Sequence, residues 1–349
     1  MIVPYPITNQ TYAKKLRDYI LNDNDLIEIT NLSGNKIFEE ATVTNCILFI
    51  RNNKHDDNKI RISKLINNAI SVTDRLLKSN LVKDEKTSVW NLSNKKSLRF
   101  VGDKYSNLSD FCFISVGMVL NADEKKAKGL FIKDNLLSEV ETPTNTKRYT
   151  EAKFIQKYGI EKTLFLEWDT VRVPDLIRRP TFPQLYERPK IMISKIGKIK
   201  ATFDETNVFC DQTIRILVMW DDLKNVNNKS IDKSFNRNSE ISRQNLEKGS
   251  RQVNPKFLLA LINSRLVGYI LDQIRGVGNI DINPEYLKNI PIPKTDLISQ
   301  KQLITLVDQI LTAKQINPQS DTGILELEID KLVYELYGLS EEDIQLVQS

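Results

Sequence analysis

The sequence predicts an α+β protein: a short α/β segment first, a β-rich middle, and a helical last third. Three observations predict it. Strand and helix periodicities interleave up to residue 53, short alternating apolar and polar runs dominate from residue 87 to residue 220, and apolar spacings of three and four take over after residue 254. The chain has 349 residues, enough for about two domains. Hydrophobic residues make up 40% and charged residues 27%, with Gly and Pro at 12 each, which excludes collagen-like and wholly disordered chains.

Taken in order, Met1 to Tyr5 reads as extended, Tyr12 to Leu21 as a helix, Leu26 to Thr30 as a strand and Asn45 to Ile50 as a buried apolar strand. These strands are too few to close a doubly wound sheet, and no glycine-rich phosphate loop accompanies the first of them. Ile60 to Leu81 is expected to be a helical linker, because Ile62, Leu65, Ile66, Ala69, Ile70, Leu76 and Leu77 recur near helical spacing. The expected organisation is an α/β sheet fragment at 1–58, the linker at 59–86, a β-rich domain at 87–253 and a helical region at 254–349.

Within the β-rich part, strands are expected in Ser109 to Leu120, Gly129 to Lys133, Thr163 to Trp168, Lys190 to Ile196 and Gln212 to Trp220. Asp221 to Val253, dominated by Asn, Ser, Lys, Asp and Arg, is expected to be a long flexible surface loop. Phe257 to Ile274 is apolar nearly all round and predicts a helix buried on several sides. Prolines force Ile290 to Pro293 extended, and Ser299 with Gln302 predicts a capping box for the next helix. Leu303, Val307 and Ile310 on that helix, and Leu325, Ile329, Leu332 and Leu336 on the following one, predict two helices packed with coiled-coil-like geometry. Gly338 ends the second of them, and Ser340 with Asp343 starts a short last helix.

The chemistry of catalysis is mostly missing. Cys46, Cys112 and Cys210 are too far apart for a disulfide framework or a CxxC metal site and are expected to be reduced core residues. The one histidine, His55, sits in a polar stretch, which argues against Ser-His-Asp or multi-histidine zinc chemistry. No Walker loop, GxGxxG, GxSxG or HExxH occurs, and Gly276-Val277-Gly278 follows a helix rather than a strand. Asp175 with Asp222 and Lys224 fits a metal-nuclease spacing only loosely, so these residues are read as solvated charges. No catalytic residue and no metal ligand is therefore expected. No apolar run approaches the roughly 18 residues needed to span a bilayer, and the expected location is the cytoplasm.

Charge is segregated. Between Arg172 and Lys200 eight basic residues face two acids, whereas Ile324 to Ser349 hold seven acids and one lysine. One region would approach a polyanion and the other would be repelled by it. The segment from Lys190 to Lys200 alternates, so on a strand-turn-strand its isoleucines would face a core while Lys195, Lys198 and Lys200 reach outward. That describes either a phosphate-binding edge or an edge strand that its lysines protect from aggregation. Arg178-Arg179-Pro180 adds two guanidiniums beside a rigid turn, the side chain best suited to bidentate reading of guanine. Lys147-Arg148-Tyr149 is a third basic cluster with an adjacent aromatic, and an exposed loop explains it equally well. Three clusters within one β-rich region favour nucleic acid as partner, and Arg178, Arg179, Lys195, Lys198, Lys200, Lys147, Arg148 and Arg172 are the candidate DNA contacts.

Four segments resemble, in order, the C-terminal half of adenine-specific DNA methyltransferases of the Eco57I and TaqI type, including fused type IIG restriction-modification enzymes. The first comprises Tyr12 to Leu21 and Ile37 to Ile50, similar to the last strands of a methyltransferase sheet. The second is Arg179-Pro-Thr-Phe-Pro with Arg188-Pro-Lys-Ile-Met-Ile-Ser-Lys-Ile, similar to the TaqI-like specificity domain. The third is Asn254-Pro-Lys-Phe-Leu-Leu-Ala-Leu-Ile-Asn-Ser-Arg-Leu, continuing to Tyr286-Leu-Lys-Asn-Ile-Pro-Ile-Pro, and the fourth is Leu327-Glu-Ile-Asp-Lys-Leu-Val-Tyr-Glu-Leu-Tyr-Gly-Leu-Ser.

The resemblance implies a target-recognition domain that docks on double-stranded DNA and presents an adenine to a methyltransferase. It also implies S-adenosylmethionine as the cofactor of a catalytic partner chain or region, with methyltransferase or endonuclease activity. The departure from the family is that neither the glycine-rich cofactor loop nor Asn-Pro-Pro-Tyr is present. The Asn-Pro pairs at Asn254, Asn283 and Asn317 are followed by Lys256, Glu285 and Gln319. A flipped adenine needs an acceptor for its amino protons and an aromatic platform, so the chain alone is expected to be catalytically silent. The competing expectation is an orphan fragment or interaction protein that docks on a partner through its helices without DNA specificity.

Overall fold

The computed structural model describes residues 1–32, 44–52, 59–66, 69–82, 88–92, 98–238, 241–275 and 281–348. His55, Gly276-Val277-Gly278 and the start of the Ile37 to Ile50 stretch lie outside them. The architecture is α+β, and the chain divides into two compact units, Met1–Leu98 with Asp272–Ile280, and Arg99–Leu271 with Asp281–Ser349.

The first unit runs β1 (Ile2–Pro4), α1 (Lys14–Asp23), β2 (Asp25–Asn31), β3 (Asn45–Arg51), β4 (Lys59–Ile66), β5 (Ala69–Leu77) and a single turn, α2 (Lys78–Leu81). Its sheet has the order β1-β3-β2-β4-β5, and only the β2 and β4 pair is parallel. Central β2 buries Leu26 and Ile29 completely, as a strand covered on both faces must. Buried Arg17 on α1 is satisfied by backbone carbonyls, donating to Ser88 O at 2.8 Å, Ile7 O at 2.7 Å and Gln10 O at 2.8 Å.

The strands expected up to Ile50 are present, but the helical linker is not: residues 59–77 form the antiparallel pair β4 and β5. The apolar positions fit a helix by count. The decisive signals are the period-two run Lys59-Ile-Arg-Ile-Ser63 and the β-branched Ile70, Val72 and Thr73, which suit a pleated surface. A bulge between Ile62 and Ser63 breaks the alternation and hides it from a simple period count.

The second unit begins with β6 (Tyr105–Asn107), α3 (Leu108–Phe111), β7 (Cys112–Val116), β8 (Val119–Ala122), β9 (Leu137–Ser138) and β10 (Asn145–Thr150). It continues with β11 (Ile155–Gln156), β12 (Gly159–Ile160), β13 (Leu164–Glu167), β14 (Ile177–Arg179), β15 (Lys190–Ser194), β16 (Ala201–Asp204), β17 (Phe209–Cys210) and β18 (Ile214–Met219). Two four-stranded sheets, β17-β10-β13-β9 and β16-β15-β18-β7, share one core built from Phe113, Tyr149, Trp168, Tyr186, Phe209 and Trp220. Gly129 to Lys133 is not a strand but leads into a single 3-10 turn at Lys133–Leu136. Strand β15 is not an edge either: it lies between β16 and β18 and every one of its residues is buried.

The expected loop at 221–253 contains two helices, α4 (Lys229–Asn238) and α5 (Arg243–Ser250). Its polar composition hides enough apolar anchors: Leu223, Ile231 and Leu246 are buried in the core of the second unit. Ser242 caps α5 through Asn245 N at 3.3 Å, and Arg243 ties it back to Leu223 O at 2.7 Å and Val226 O at 3.0 Å.

The helices of the last third are α6 (Pro255–Asn263), α7 (Arg265–Arg275), α8 (Pro284–Lys288), α9 (Leu297–Ile316), α10 (Gly323–Tyr337) and α11 (Glu341–Gln348), with β19 (Pro291–Pro293) pairing β6. The single helix expected from Phe257 to Ile274 is two, bent by 68°. Ser264 makes the break, its Oγ donating to Leu261 O at 2.6 Å and accepting from Val267 N at 3.2 Å. Asn263 beside it donates to Ala201 O and accepts from Ala201 N, both at 2.9 Å, so its amide extends the ladder of β16. Among the described residues no single helix is long and apolar enough to cross a membrane, and α6, half of the bent pair that together has the length, is a core helix.

Helix α9 starts earlier than the Ser299 box, at Asp296, whose carboxylate accepts from Ser299 N at 2.8 Å. Its buried stripe is Leu303, Leu306, Val307 and Ile310. On α10 the buried stripe is Ile329, Val333 and Tyr337 with Asp330 and Tyr334, while Leu325, Leu332 and Leu336 are half-buried. The shift follows from Asp330, which turns inward to pair with Arg265 at 3.1 Å and to accept from Arg265 N at 2.8 Å. Gly338 closes α10 at φ 67°, and Ser340 with Asp343 caps α11.

Candidate nucleic-acid interface

The site is built where two turns of the second unit interlock. Between β7 and β8, Met118 N donates to Cys210 O at 3.1 Å, and Gln212 N returns a bond to Met118 O at 2.9 Å. A Cβ on Gly117 would stand 2.2 Å from Asp211 O, so only glycine lets the two backbones meet this closely. The Asp211 carboxylate folds its own turn by accepting from Thr213 N at 3.0 Å and from the Thr213 hydroxyl. Lys195 N then donates to Thr213 O at 2.8 Å, which fixes the turn after β15 alongside.

Beside these turns lies a partly open cleft of about 480 Å³, lined by Lys133, Lys153, Lys195, Lys200, Ser194 and Thr213 together with Glu151. Glu151 bridges Lys133 and Lys153, and Asp211 adds a second carboxylate 3.3 Å from Lys133. Burial works against the Lys133 ammonium, but the bonds to Glu151 and Asp211 outweigh it and hold its pKa above the usual lysine value. Burial likewise raises Glu151, and its two lysines outweigh that and keep the carboxylate ionised below its usual range. Tyr149, between them and the core, is pushed far up by burial and then by Asp211 and Glu151, so it stays a neutral phenol.

The eight basic residues singled out in the sequence fall into different situations. Lys195 and Lys200 share the cleft, and Lys200 donates to Gln156 Oε1 at 3.1 Å. Lys198 is exposed next to Gly197, whose φ of 92° turns the chain back toward β16. Arg178 and Arg179 are both exposed on β14 because the register with β8 shifts between Ile177 and Arg179. Arg179 Nη2 donates to Gly117 O at 3.0 Å, which connects it to the interlocked turns.

Lys147 lies over the Phe209 ring at 5.6 Å and 3.9 Å from Glu187, whereas neighbouring Arg148 is exposed. Arg172 is held by both oxygens of Glu167, a carboxylate that Thr170 also engages, and the bond to Glu167 raises the pKa of the guanidinium. Among the described residues, Arg148, Arg178, Lys195 and Lys198 have no ion pair, so their charge is turned to solvent. The acidic C-terminal segment does not neutralise them; its Glu326 and Asp330 pair with Lys157 and Arg265.

No protein-family model matches the chain, and no curated protein matches it. Among solved structures it is similar to the type IIL restriction-modification enzyme MmeI, solved in complex with DNA, at 11% identity and a TM-score of 0.57 over 97% of this chain and 46% of that one. The chain shares its fold with part of MmeI. The type IIG restriction endonuclease BpuSI aligns at 12% identity and a TM-score of 0.34 over 97% of this chain and 47% of its own. DrdV, solved with DNA, aligns at 11% identity and a TM-score of 0.44 over 89% of this chain and 37% of its own. The chain thus spans less than half the length of these proteins.

Lys133 and Lys153 are the cleft lysines that sequence reasoning missed, along with Glu151, Ser194 and Thr213. Neither lysine belongs to a basic cluster. The parallel pairing of Thr150 with Cys210 sets Glu151 to Lys153 beside Asp211 to Thr213, and no local pattern announces that pairing. Among the described residues no group of three His, Cys, Asp or Glu side chains stands close enough to hold a metal ion.

Proposed function

We propose that this chain is the DNA-recognition part of a restriction-modification system. It would hold duplex DNA against the basic face of its second unit and position an adenine for methyl transfer. S-adenosylmethionine and the catalytic motif would belong to a methyltransferase region that these residues do not include. The observation that carries the reading is the fold shared with a DNA-bound restriction-modification enzyme over 97% of this chain. The solvent-directed charges of Arg148, Arg178, Lys195 and Lys198 support it, because a polyanion supplies the counter-charge that the protein does not. The bulged strand β14 supports base reading in particular, since it exposes two consecutive arginines.

The test is selection from a randomised duplex pool followed by titration of the enriched and scrambled duplexes at two salt concentrations. Under the proposal one sequence is enriched and its advantage survives moderate salt. Arg178→Ala or Arg179→Ala costs about 1–3 kcal/mol and relaxes one position, whereas Lys198→Ala weakens all sequences alike. Absence of any enriched sequence, with both duplexes bound equally, would favour docking on a partner without DNA specificity.

A further inference from the structure

We infer that the lysine-lined cleft is a seat for one phosphodiester of the DNA backbone. This rests on the proposed function and gives it a specific phosphate contact. Four ammonium groups line the cleft against one carboxylate of the lining, Glu151, with Asp211 behind it on Lys133. That carboxylate does not compete with an entering anion: Glu151 is itself buried and already divided between Lys133 and Lys153. Its effect is to hold two ammonium groups together where they would otherwise repel.

Ser194 supplies the second, independent observation. It lines the cleft, is 4% exposed, and its Oγ is buried without a hydrogen-bond partner. A buried hydroxyl left unpaired is costly, and a group entering the cleft can supply the partner. A phosphoryl oxygen accepts from a hydroxyl and from several ammonium groups at once, the combination gathered here. Thr213, the other hydroxyl of the lining, is already committed to Asp211 and accepts from Ala152 N at 3.2 Å. Lys195 follows Ser194 directly and Lys200 accepts from Ser194 N at 3.1 Å through its backbone across the Gly197 turn, so two lysines without an ion pair among the described residues join the unpaired hydroxyl in the lining. The cleft is partly open, as a polymer that enters and leaves requires.

The experiment titrates a labelled duplex with the full chain over a potassium chloride series, comparing wild type, Ser194→Ala, the double variant Lys195→Ala with Lys200→Ala, and Arg178→Ala as a reference outside the cleft. The double variant is expected to lose roughly tenfold or more in affinity for every duplex alike, with the slope of log K against log salt reduced by about 1 or more. Ser194→Ala is expected to weaken binding by roughly threefold to tenfold while melting at the wild-type temperature. Wild-type affinity and salt slope in both variants, with Arg178→Ala still weakened, would overturn the cleft assignment and leave DNA reading intact. No duplex binding by the wild type even at low salt would overturn both. Calorimetry with inorganic pyrophosphate distinguishes the source of the phosphate: micromolar binding that the double variant abolishes would reassign the cleft to a free phosphoryl ligand and refute the backbone seat.

Discussion

Replacing Lys190 by methionine tests the second unit where its energetics are most exposed to error. Lys190 belongs to the basic run that suggested a DNA-facing strand, yet its side chain is fully buried in the middle of a sheet, opposite Asp204. Its ammonium donates to Asp204 and to Tyr186 O at 2.6 Å. Asp204 also accepts from Thr206 N at 3.0 Å, the Thr206 hydroxyl at 2.7 Å and Val208 N at 2.9 Å, so with Lys190 each carboxylate oxygen has two donors. Methionine fills the space but strands the carboxylate, a change that costs about 3–5 kcal/mol. For a unit of this size that lowers the melting temperature by on the order of 10 °C.

The pH dependence gives the sign. Burial raises the Asp204 pKa, but Lys190 first, then Thr206 and Val208, outweigh burial and leave it below the usual carboxylate range. The pair's contribution is therefore whole above the unfolded value of about 3.9 and is lost as pH falls through the folded value. Without the lysine, burial dominates, the folded value lies above the unfolded one, and the variant regains stability as pH falls through it. Thermal melts followed by circular dichroism should show the gap between the two proteins widest at about pH 7 and narrowing toward about pH 4. A gap under about 1 kcal/mol at neutral pH, or one that does not change with pH, would refute the assignment of a buried, network-bound pair.

Three further outcomes follow from the same packing. Gly117→Ala should lower the unfolding free energy read from denaturant titration by at least about 2 kcal/mol, because its Cβ would meet Asp211 O at 2.2 Å and Cys210 O at 2.6 Å; an unchanged value would mean the turns do not interlock. Asn263→Ala leaves the Ala201 N–H unpaired, while the Ala201 carbonyl still accepts from Tyr158 N at 2.8 Å, and should cost about 1–3 kcal/mol, with hydrogen exchange at the Ala201 amide accelerated well beyond the global loss. Arg172→Ala removes the guanidinium that pairs with buried Glu167 and should destabilise the unit by about 1–2 kcal/mol, while duplex affinity per folded molecule stays unchanged.

What the sequence makes legible depends on how local the determining contact is. Strands β2 and β3 are readable because their apolar runs are bounded by turn residues, and the ends of α10 and α11 because Gly338 and Ser340 act within one turn. Strands β4 and β5 were obscured by a bulge, and α4 and α5 by a polar composition in which three anchors suffice. Burial of Lys190 was not legible at all, since nothing nearby in the chain shows that Asp204 will stand directly opposite. The same holds for the cleft. Lys195 and Lys200 are visible as part of a basic run, but Lys133 and Lys153 reach the cleft only through sheet register and a shared carboxylate.

This distinction also separates the roles of the segments that resemble methyltransferase specificity regions. In the third, Asn263 extends the β16 ladder, Ser264 bends the helix pair, and Arg265 engages Asp330 of the fourth. In the fourth, Tyr337 donates to Pro291 O at 2.6 Å and so closes the helical region on β19. These residues hold the scaffold, and apart from the exposed Arg265 their chemistry faces inward. The second segment does both: Lys190 is sealed in the core, while four and five residues later Ser194 and Lys195 reach the cleft. A resemblance carried mainly by inward-facing residues transmits fold, and a fold fixes where a surface lies without fixing which bases it reads. Under the proposed function, sequence preference would come from solvent-facing positions such as Arg148 and Arg178, each of which is replaceable without disturbing the network beneath it.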